Sequence, residues 1–105
     1  MRFQALDKLI NLYDGYRRLF RIDQLELLLI ERQGERFLVE ARCPHRGQSL
    51  AEAGLEEGRI RCPRHGYEFS LVDGSTLITT EAPCRSLRVY DLIYQGNEIG
   101  LLLPE

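Results

Sequence analysis

Residues 25–41, LELLLIERQGERFLVEA, contain two apolar runs separated by the turn residues Gln33 and Gly34. Runs of this length, rich in Leu, Ile, Val and Phe and joined by a short glycine-containing turn, predict a β-hairpin. A third run of the same kind, GYRRLFRI, precedes the hairpin and is separated from it by another short turn. The sequence therefore predicts a meander of three antiparallel strands, formed by residues 15–22, 25–32 and 36–43.

The sequence pattern changes after Cys43. Up to Gly74 it consists of glycines, prolines and short apolar pieces, and an irregular stretch of that length in a small domain is usually functional. Residues 86–104, SLRVYDLIYQGNEIGLLLP, return to strand character, and we expect them to pair back onto the meander. We predict one all-β domain over 1–105, an antiparallel β-sandwich with a small loop-rich subdomain at about 43–74 inserted in its β-sheet base.

Composition narrows the classes of partner and location. A chain of 105 residues fits a single hydrophobic core, and a formal net charge of −2 gives no general drive toward nucleic acid or anionic membrane. No apolar stretch has the length of a membrane span, and acidic residues interrupt the run that follows the twin-arginine-like YRRLFRI. Three cysteines, an odd number, indicate reduced thiols rather than a disulfide scaffold. We expect a cytoplasmic protein that is monomeric when free.

Two short motifs lie within the loop-rich region, ARCPHRGQSL at 41–50 and RCPRHGYEFSLVDG at 61–74. In each, a proline directly follows the cysteine, and a glycine comes after the histidine, with one residue between them in the first motif and none in the second. The pattern is C-x-H, sixteen residues, then C-x-x-H, and it uses both histidines of the chain and two of its three cysteines. The candidate metal ligands are Cys43, His45, Cys62 and His65.

Thiolate and imidazole together suit either zinc or an iron–sulfur cluster. Side chains two apart in an extended segment point to the same face, so Cys43 and His45 could reach one metal centre, although the spacing does not force both onto one ion. The prolines stiffen the loops, and Gly47 and Gly66 permit backbone conformations that a Cβ would disfavour. Such loops can direct backbone N–H groups at sulfur. The residues alone leave both kinds of metal site open.

The stretches CPHRG and CPRHGYEF, followed by DG, resemble the paired loops of Rieske iron–sulfur proteins, and the short all-β surroundings resemble a Rieske-type ferredoxin. The resemblance implies a [2Fe–2S] cluster in which Cys43 and Cys62 bind one iron and His45 and His65 bind the other. It covers residues 43–74, and the strand pattern on both sides is compatible with the family fold.

The sequence departs from the high-potential branch of that family. Gln48 and Arg64 stand where that branch has two further cysteines in a disulfide, so no such bridge can form. Tyr67 and Phe69 stand where it has a serine and a tyrosine whose hydroxyls donate to the cluster. We expect the Tyr67 hydroxyl to project past the site and the second donor to be absent. The midpoint potential is therefore predicted at the low end of the family range of about −150 to +300 mV.

The resemblance implies a one-electron carrier that takes electrons from a flavin-dependent NAD(P)H reductase and passes them to a terminal oxygenase. One alternative is a Rieske-like small subunit of a larger redox enzyme such as assimilatory nitrite reductase, and another is a zinc-stabilised interaction module. No catalytic residue is predicted, because both histidines belong to the candidate site and none is left for a mononuclear iron site or an acid–base pair.

Arginines lie within a few residues of the candidate ligands in both motifs, which suggests that the redox partner has an acidic docking face. The remaining cysteine, Cys84, has no histidine or cysteine at ligand spacing, and we expect it to be a small buried hydrophobe. The arginines concerned are Arg42, Arg46, Arg59, Arg61 and Arg64.

Overall fold

The computed structural model describes all 105 residues and contains ten β-strands, one 3₁₀ turn and no α-helix. None of its helical turns has the length and apolar character that crossing a bilayer requires. The all-β prediction is confirmed. The strands are β1 (Arg2–Lys8), β2 (Arg17–Ile22), β3 (Leu25–Arg32), β4 (Glu35–Glu40), β5 (Gly54–Glu56), β6 (Arg59–Arg61), β7 (Glu68–Ser70), β8 (Thr76–Ile78), β9 (Ile93–Gln95) and β10 (Glu98–Leu103).

The predicted meander is the sheet β2-β3-β4. Leu27 of β3 pairs with Phe20 of β2 and with Glu40 of β4, so β3 is the central strand. Four consecutive residues of β3, 27–30, are buried, which places apolar layers on both faces of this sheet. Ile22 pairs with Leu25 and Arg32 pairs with Glu35, so each of the two turns that join these strands has two residues.

The expected pairing of residues 86–104 with the meander is only partly correct. Val89 forms an isolated bridge with Val39 of β4, and backbone hydrogen bonds extend that contact by one residue on each side. β9 and β10 instead pair with each other, and β10 pairs with β1 to give the sheet β1-β10-β9. The sequence did not predict β1 as a strand. β1 pairs with β10 where the meander was expected to pair.

Two hydrophobic cores lie on opposite faces of the meander. The base core lies between the meander and the sheet β1-β10-β9, and it consists of Tyr16, Leu27, Leu29, Leu38, Ile99, Leu101 and Leu103. The site-side core also receives residues from the two motifs. Its members are Leu28, Ile30, Phe37, Val39, Ala41, Cys43, Leu50, Ala53, Ile60, Cys62, Tyr67, Phe69, Leu71 and Leu87.

The loop-rich region carries most of a small sheet, β5-β6-β7-β8, with strands of only three residues each, and the last of these strands lies just beyond the predicted end of the region at residue 74. Its register pairs Ile60 with both Leu55 and Phe69. Arg17 of the meander ties this part of the chain to the base, because its guanidinium donates to the carbonyls of Ala51 and Ala53 at 3.1 and 2.7 Å. The two motifs lie on either side of β5 and β6.

Candidate metal centre

The first motif forms a tight loop closed by two backbone hydrogen bonds. The N–H of Cys43 donates to the carbonyl of Gln48, and the N–H of Gly47 donates back to the carbonyl of Cys43, both at 2.7 Å. Gly47 has φ +73°, in the left-handed region that the sequence analysis anticipated for this glycine. The backbone thus holds Cys43 and His45 on one short loop, which we call the first loop (residues 43–48).

The second motif repeats this hydrogen-bond frame. The N–H of Cys62 donates to the carbonyl of Tyr67 at 2.8 Å, and the N–H of Gly66 donates to the carbonyl of Cys62 at 3.0 Å. Gly66 has φ +76°. This second loop (residues 62–67) carries its histidine one position later than the first loop does, which accounts for the change from C-x-H to C-x-x-H.

The structure brings the four candidate ligands together as two like pairs. Cys43 and Cys62 are 1% and 0% exposed and belong to one core, and Cys62 is near enough to contribute to the raised pKa of Cys43. The rings of His45 and His65 lie edge to face, with centroids 5.1 Å apart. No three His, Cys, Asp or Glu side chains converge as the ligands of a single ion would. Two thiols beside two imidazoles match two metal positions better than one.

The imidazole nitrogens test whether a metal group fits here. Nδ1 of His45 and Nδ1 of His65 are both buried and have no hydrogen-bond partner. A buried nitrogen without a partner costs about 1–3 kcal/mol, so a pair of them on facing loops is unusual unless both have another ligand. The residues present therefore fit a metal centre that the two Nδ1 atoms would bind.

Burial also acts on the thiols. It is the largest of the influences that raise the pKa of Cys43 to about 11, and the nearby Cys62 adds to the rise, whereas a hydrogen bond from the N–H of His45 opposes it. A thiol in such surroundings has little tendency to ionise by itself. A bound metal supplies the positive charge that would favour the thiolate at this position.

Tyr67 fixes the first histidine through its ring and the neighbouring segment through its hydroxyl. Its side chain is fully buried, and its ring stacks on that of His45 at 4.4 Å and 24°. The hydroxyl donates to the carbonyl of Ala82 and accepts from the N–H of Glu81 at 3.2 Å. The prediction that this hydroxyl projects past the site is confirmed.

A segment at residues 80–82, which we call the covering segment, contacts both loops. Thr80 Oγ1 donates to the carbonyl of His65 at 2.5 Å, and Glu81 Oε1 lies 3.1 Å from Nε2 of His45. No sequence motif marks this segment, and its contact with His45 spans 36 positions of the chain, so the sequence did not predict it.

The flanking arginines do not form one free basic group. Ion pairs connect Arg42 with Glu26, Arg46 with Glu81 and Arg59 with Glu68. The other two arginines are exposed and have no carboxylate partner. One directly precedes the second loop and the other lies in it. These are Arg61 and Arg64.

Cys84 lies apart from the loops in the chain but is half-buried and packs against the site-side core. Burial is the main cause that raises the pKa of its thiol. Its surroundings agree with the expectation of a small apolar side chain, although it is not fully buried.

A family model described as the Rieske [2Fe-2S] domain matches residues 3–91. The chain is 31% identical over 90 residues to the ferredoxin component of the alkene monooxygenase system of Xanthobacter autotrophicus, covering 85% of this chain and 71% of that protein. It is 32% identical over 73 residues to the 3-phenylpropionate/cinnamic acid dioxygenase ferredoxin subunit of Escherichia coli, covering 69% and 67%.

Among solved structures, the Sphingomonas yanoikuyae B1 ferredoxin superimposes with a TM-score of 0.84 at 18% identity, over 98% of this chain and all of that one. At such low identity the structural similarity shows the fold alone. The chain also matches parts of longer proteins, since it spans only 11% of human apoptosis-inducing factor 3 and 12% of a 3-chlorobenzoate-3,4-dioxygenase oxygenase subunit from Comamonas testosteroni.

Proposed function

The chain belongs to the Rieske [2Fe–2S] domain family, and we propose that it is a Rieske-type ferredoxin, a one-electron carrier. In this proposal Cys43 and Cys62 hold one iron of the cluster, and His45 and His65 hold the other. When bound, a [2Fe–2S] centre with such ligands takes up and releases one electron. The chain is one domain, and residues 43–74 are its cluster-binding subdomain.

One observation supports this assignment above the others, the pair of buried Nδ1 atoms without hydrogen-bond partners. They lie on two loops of matching backbone geometry, next to two buried thiols. A single structural zinc would need all four donors around one point, which is not the arrangement of these side chains.

The role of carrier rather than catalyst follows from the same assignment. With both histidines used as ligands, the chain offers no further imidazole for a mononuclear iron site. Among its relatives are ferredoxin components of oxygenase systems. We propose that a flavin-dependent NAD(P)H reductase donates the electron and that a terminal oxygenase accepts it, in the cytoplasm.

The first experiment is the visible absorption spectrum, with iron and sulfide content, of protein expressed with ample iron. We expect about two irons and two sulfides per chain and bands that bleach with dithionite. Cys62→Ser should abolish the bands, and Cys84→Ser, the matched control, should retain them. A colourless wild type with one zinc per chain would instead identify a zinc-stabilised interaction module.

Partner docking has a test based on the two unpaired arginines. Arg61→Gln together with Arg64→Gln should slow electron transfer to an acidic partner at low salt and weaken the salt dependence of the rate. Arg42→Gln serves as the control because Glu26 already neutralises that arginine. A rate that does not depend on ionic strength would remove the docking role.

A second candidate, a stable subunit of a larger redox enzyme, is favoured by the relatives in which the matched region is a small part of the chain. Co-purification with the reductase or the oxygenase distinguishes the two. A carrier should elute alone in size-exclusion chromatography, whereas a subunit should elute in a stoichiometric complex.

A further inference from the structure

The two histidines of the proposed centre differ at their outer nitrogens. Nε2 of His45 lies 3.1 Å from a carboxylate oxygen of Glu81, and the His45 side chain is only 9% exposed. His65 has no ion pair or side-chain hydrogen bond, although it is also partly buried. Only one of the two imidazoles is therefore capped by a negative charge.

The protein holds Glu81 in this position through its backbone. The Glu81 N–H donates to the Tyr67 hydroxyl at 3.2 Å, and the same hydroxyl donates to the carbonyl of Ala82. Thr80, the residue before Glu81, donates from its hydroxyl to the carbonyl of His65 in the second loop. Because Tyr67 also stacks on His45, one side chain aligns both the imidazole and the segment that carries the carboxylate.

We propose that Glu81 is a positioning residue that orients His45 and lowers the midpoint potential of the centre. The inference rests on the proposed function. With two thiolates, two neutral imidazoles and two sulfides, the oxidised core is formally neutral, and one added electron makes it negative. A carboxylate oxygen 3.1 Å from the outer nitrogen of a ligand disfavours that added charge.

Arg46 lies 3.7 Å from Glu81 and opposes this effect. The Arg46 side chain is 63% exposed and that of Glu81 is 44% exposed. The guanidinium is also farther from the carboxylate than the nearly buried imidazole is, at 3.7 against 3.1 Å, so its charge is the more strongly screened. The carboxylate therefore dominates at His45.

The test compares two variants that remove the same charge. Glu81→Gln keeps the size of the side chain and removes the carboxylate beside His45. Glu56→Gln is the control, because Glu56 is exposed on β5 and has no ion pair or side-chain hydrogen bond. Midpoint potentials are measured at pH 7 by spectroelectrochemical titration of the loaded proteins.

We expect Glu81→Gln to shift the ratio of reduced to oxidised protein at fixed potential roughly tenfold toward the reduced form, a rise of about 59 mV. Glu56→Gln should move it less than twofold. An unchanged or lower potential for Glu81→Gln, or equal shifts in the two variants, would overturn the inference.

Pulsed EPR of the dithionite-reduced protein gives a second readout, which a merely structural role would leave unmoved. The hyperfine coupling of one of the two ligand nitrogens should change in Glu81→Gln and the other should stay constant. Two unchanged couplings would argue against a contact with His45. A wild type without cluster bands would overturn the proposed function and the inference together, whereas a loaded wild type with an unmoved variant overturns the inference alone.

Discussion

Phe69→Tyr tests how the protein core sets the midpoint potential. Phe69 is fully buried in the site-side core together with Cys43 and Cys62. Among the buried residues of that core the only polar side-chain atoms are the two sulfurs and the hydroxyl of Tyr67, which already bonds to the covering segment, and the thiol of Cys84 packs against the core. We expect a hydroxyl added at position 69 to find a cysteine sulfur as its side-chain partner.

The size of the effect follows from the energy of one hydrogen bond. A net bond contributes about 1 kcal/mol, and for one electron about 59 mV corresponds to ~1.4 kcal/mol, so a bond that favours the reduced centre raises its potential by about 40 mV. A hydroxyl that finds no partner costs ~1–3 kcal/mol of stability instead. In a domain of this size, each kcal/mol lowers Tm by about 4–8 °C.

Potential and Tm are measured on the same loaded protein, by spectroelectrochemical titration and by thermal unfolding. Phe20→Tyr is the control, since Phe20 packs at the base core and not beside the cysteines. We expect Phe69→Tyr to raise the potential with little change in Tm, and Phe20→Tyr to leave the potential unchanged. A lower Tm with an unmoved potential would refute the reasoning, because the hydroxyl would then be buried without reaching sulfur.

Three further predictions concern stability. Tyr67→Phe removes the bonds to the covering segment, including the one to Ala82, and should lower the free energy of unfolding by about 1–2 kcal/mol in a denaturant titration. Gly74→Ala should lower the free energy of unfolding by more than ~3 kcal/mol, because Gly74 has φ +79° and a Cβ would collide with the carbonyl of Leu87. A soluble variant with wild-type Tm would contradict this. Hydrogen bonds, chiefly from Asn11 and Tyr16, lower the pKa of Asp7. The ionised carboxylate therefore stabilises the fold above the unfolded-state pKa. This contribution is lost as the pH falls through the folded-state pKa. Asp7→Asn should therefore be less stable near neutral pH, with a gap that narrows below about pH 4 in denaturant titrations; a constant gap would count against it.

The meander could be predicted because its signal is local. Its strands are six to eight residues long and are separated by two-residue turns, so residues close in sequence decide their pairing. β1 was missed as a strand because its residues are mostly half-buried and a register shift between Ala5 and Asp7 interrupts its alternation. Strands of three residues, such as β5–β8, are too short to show a period.

The candidate ligands could be predicted because spacing and residue type carry the chemistry of a metal site. The contact of Glu81 with His45 could not, because it depends on where the chain returns after β8. The same holds for the arginines. All five lie within a few residues of a candidate ligand in sequence, but only the folded chain shows that Glu26, Glu68 and Glu81 pair with three of them.

The matching hydrogen-bond frames of the two loops also bear on the speed of electron transfer. Each frame closes on its own cysteine, as the bonds between Gly47 and Cys43 and between Gly66 and Cys62 show. Ligands held in this way can accept a change of charge with little nuclear rearrangement, since the dipoles around them are fixed before the electron arrives. A small reorganisation energy lets a carrier exchange electrons rapidly even when the driving force between its two partners is slight.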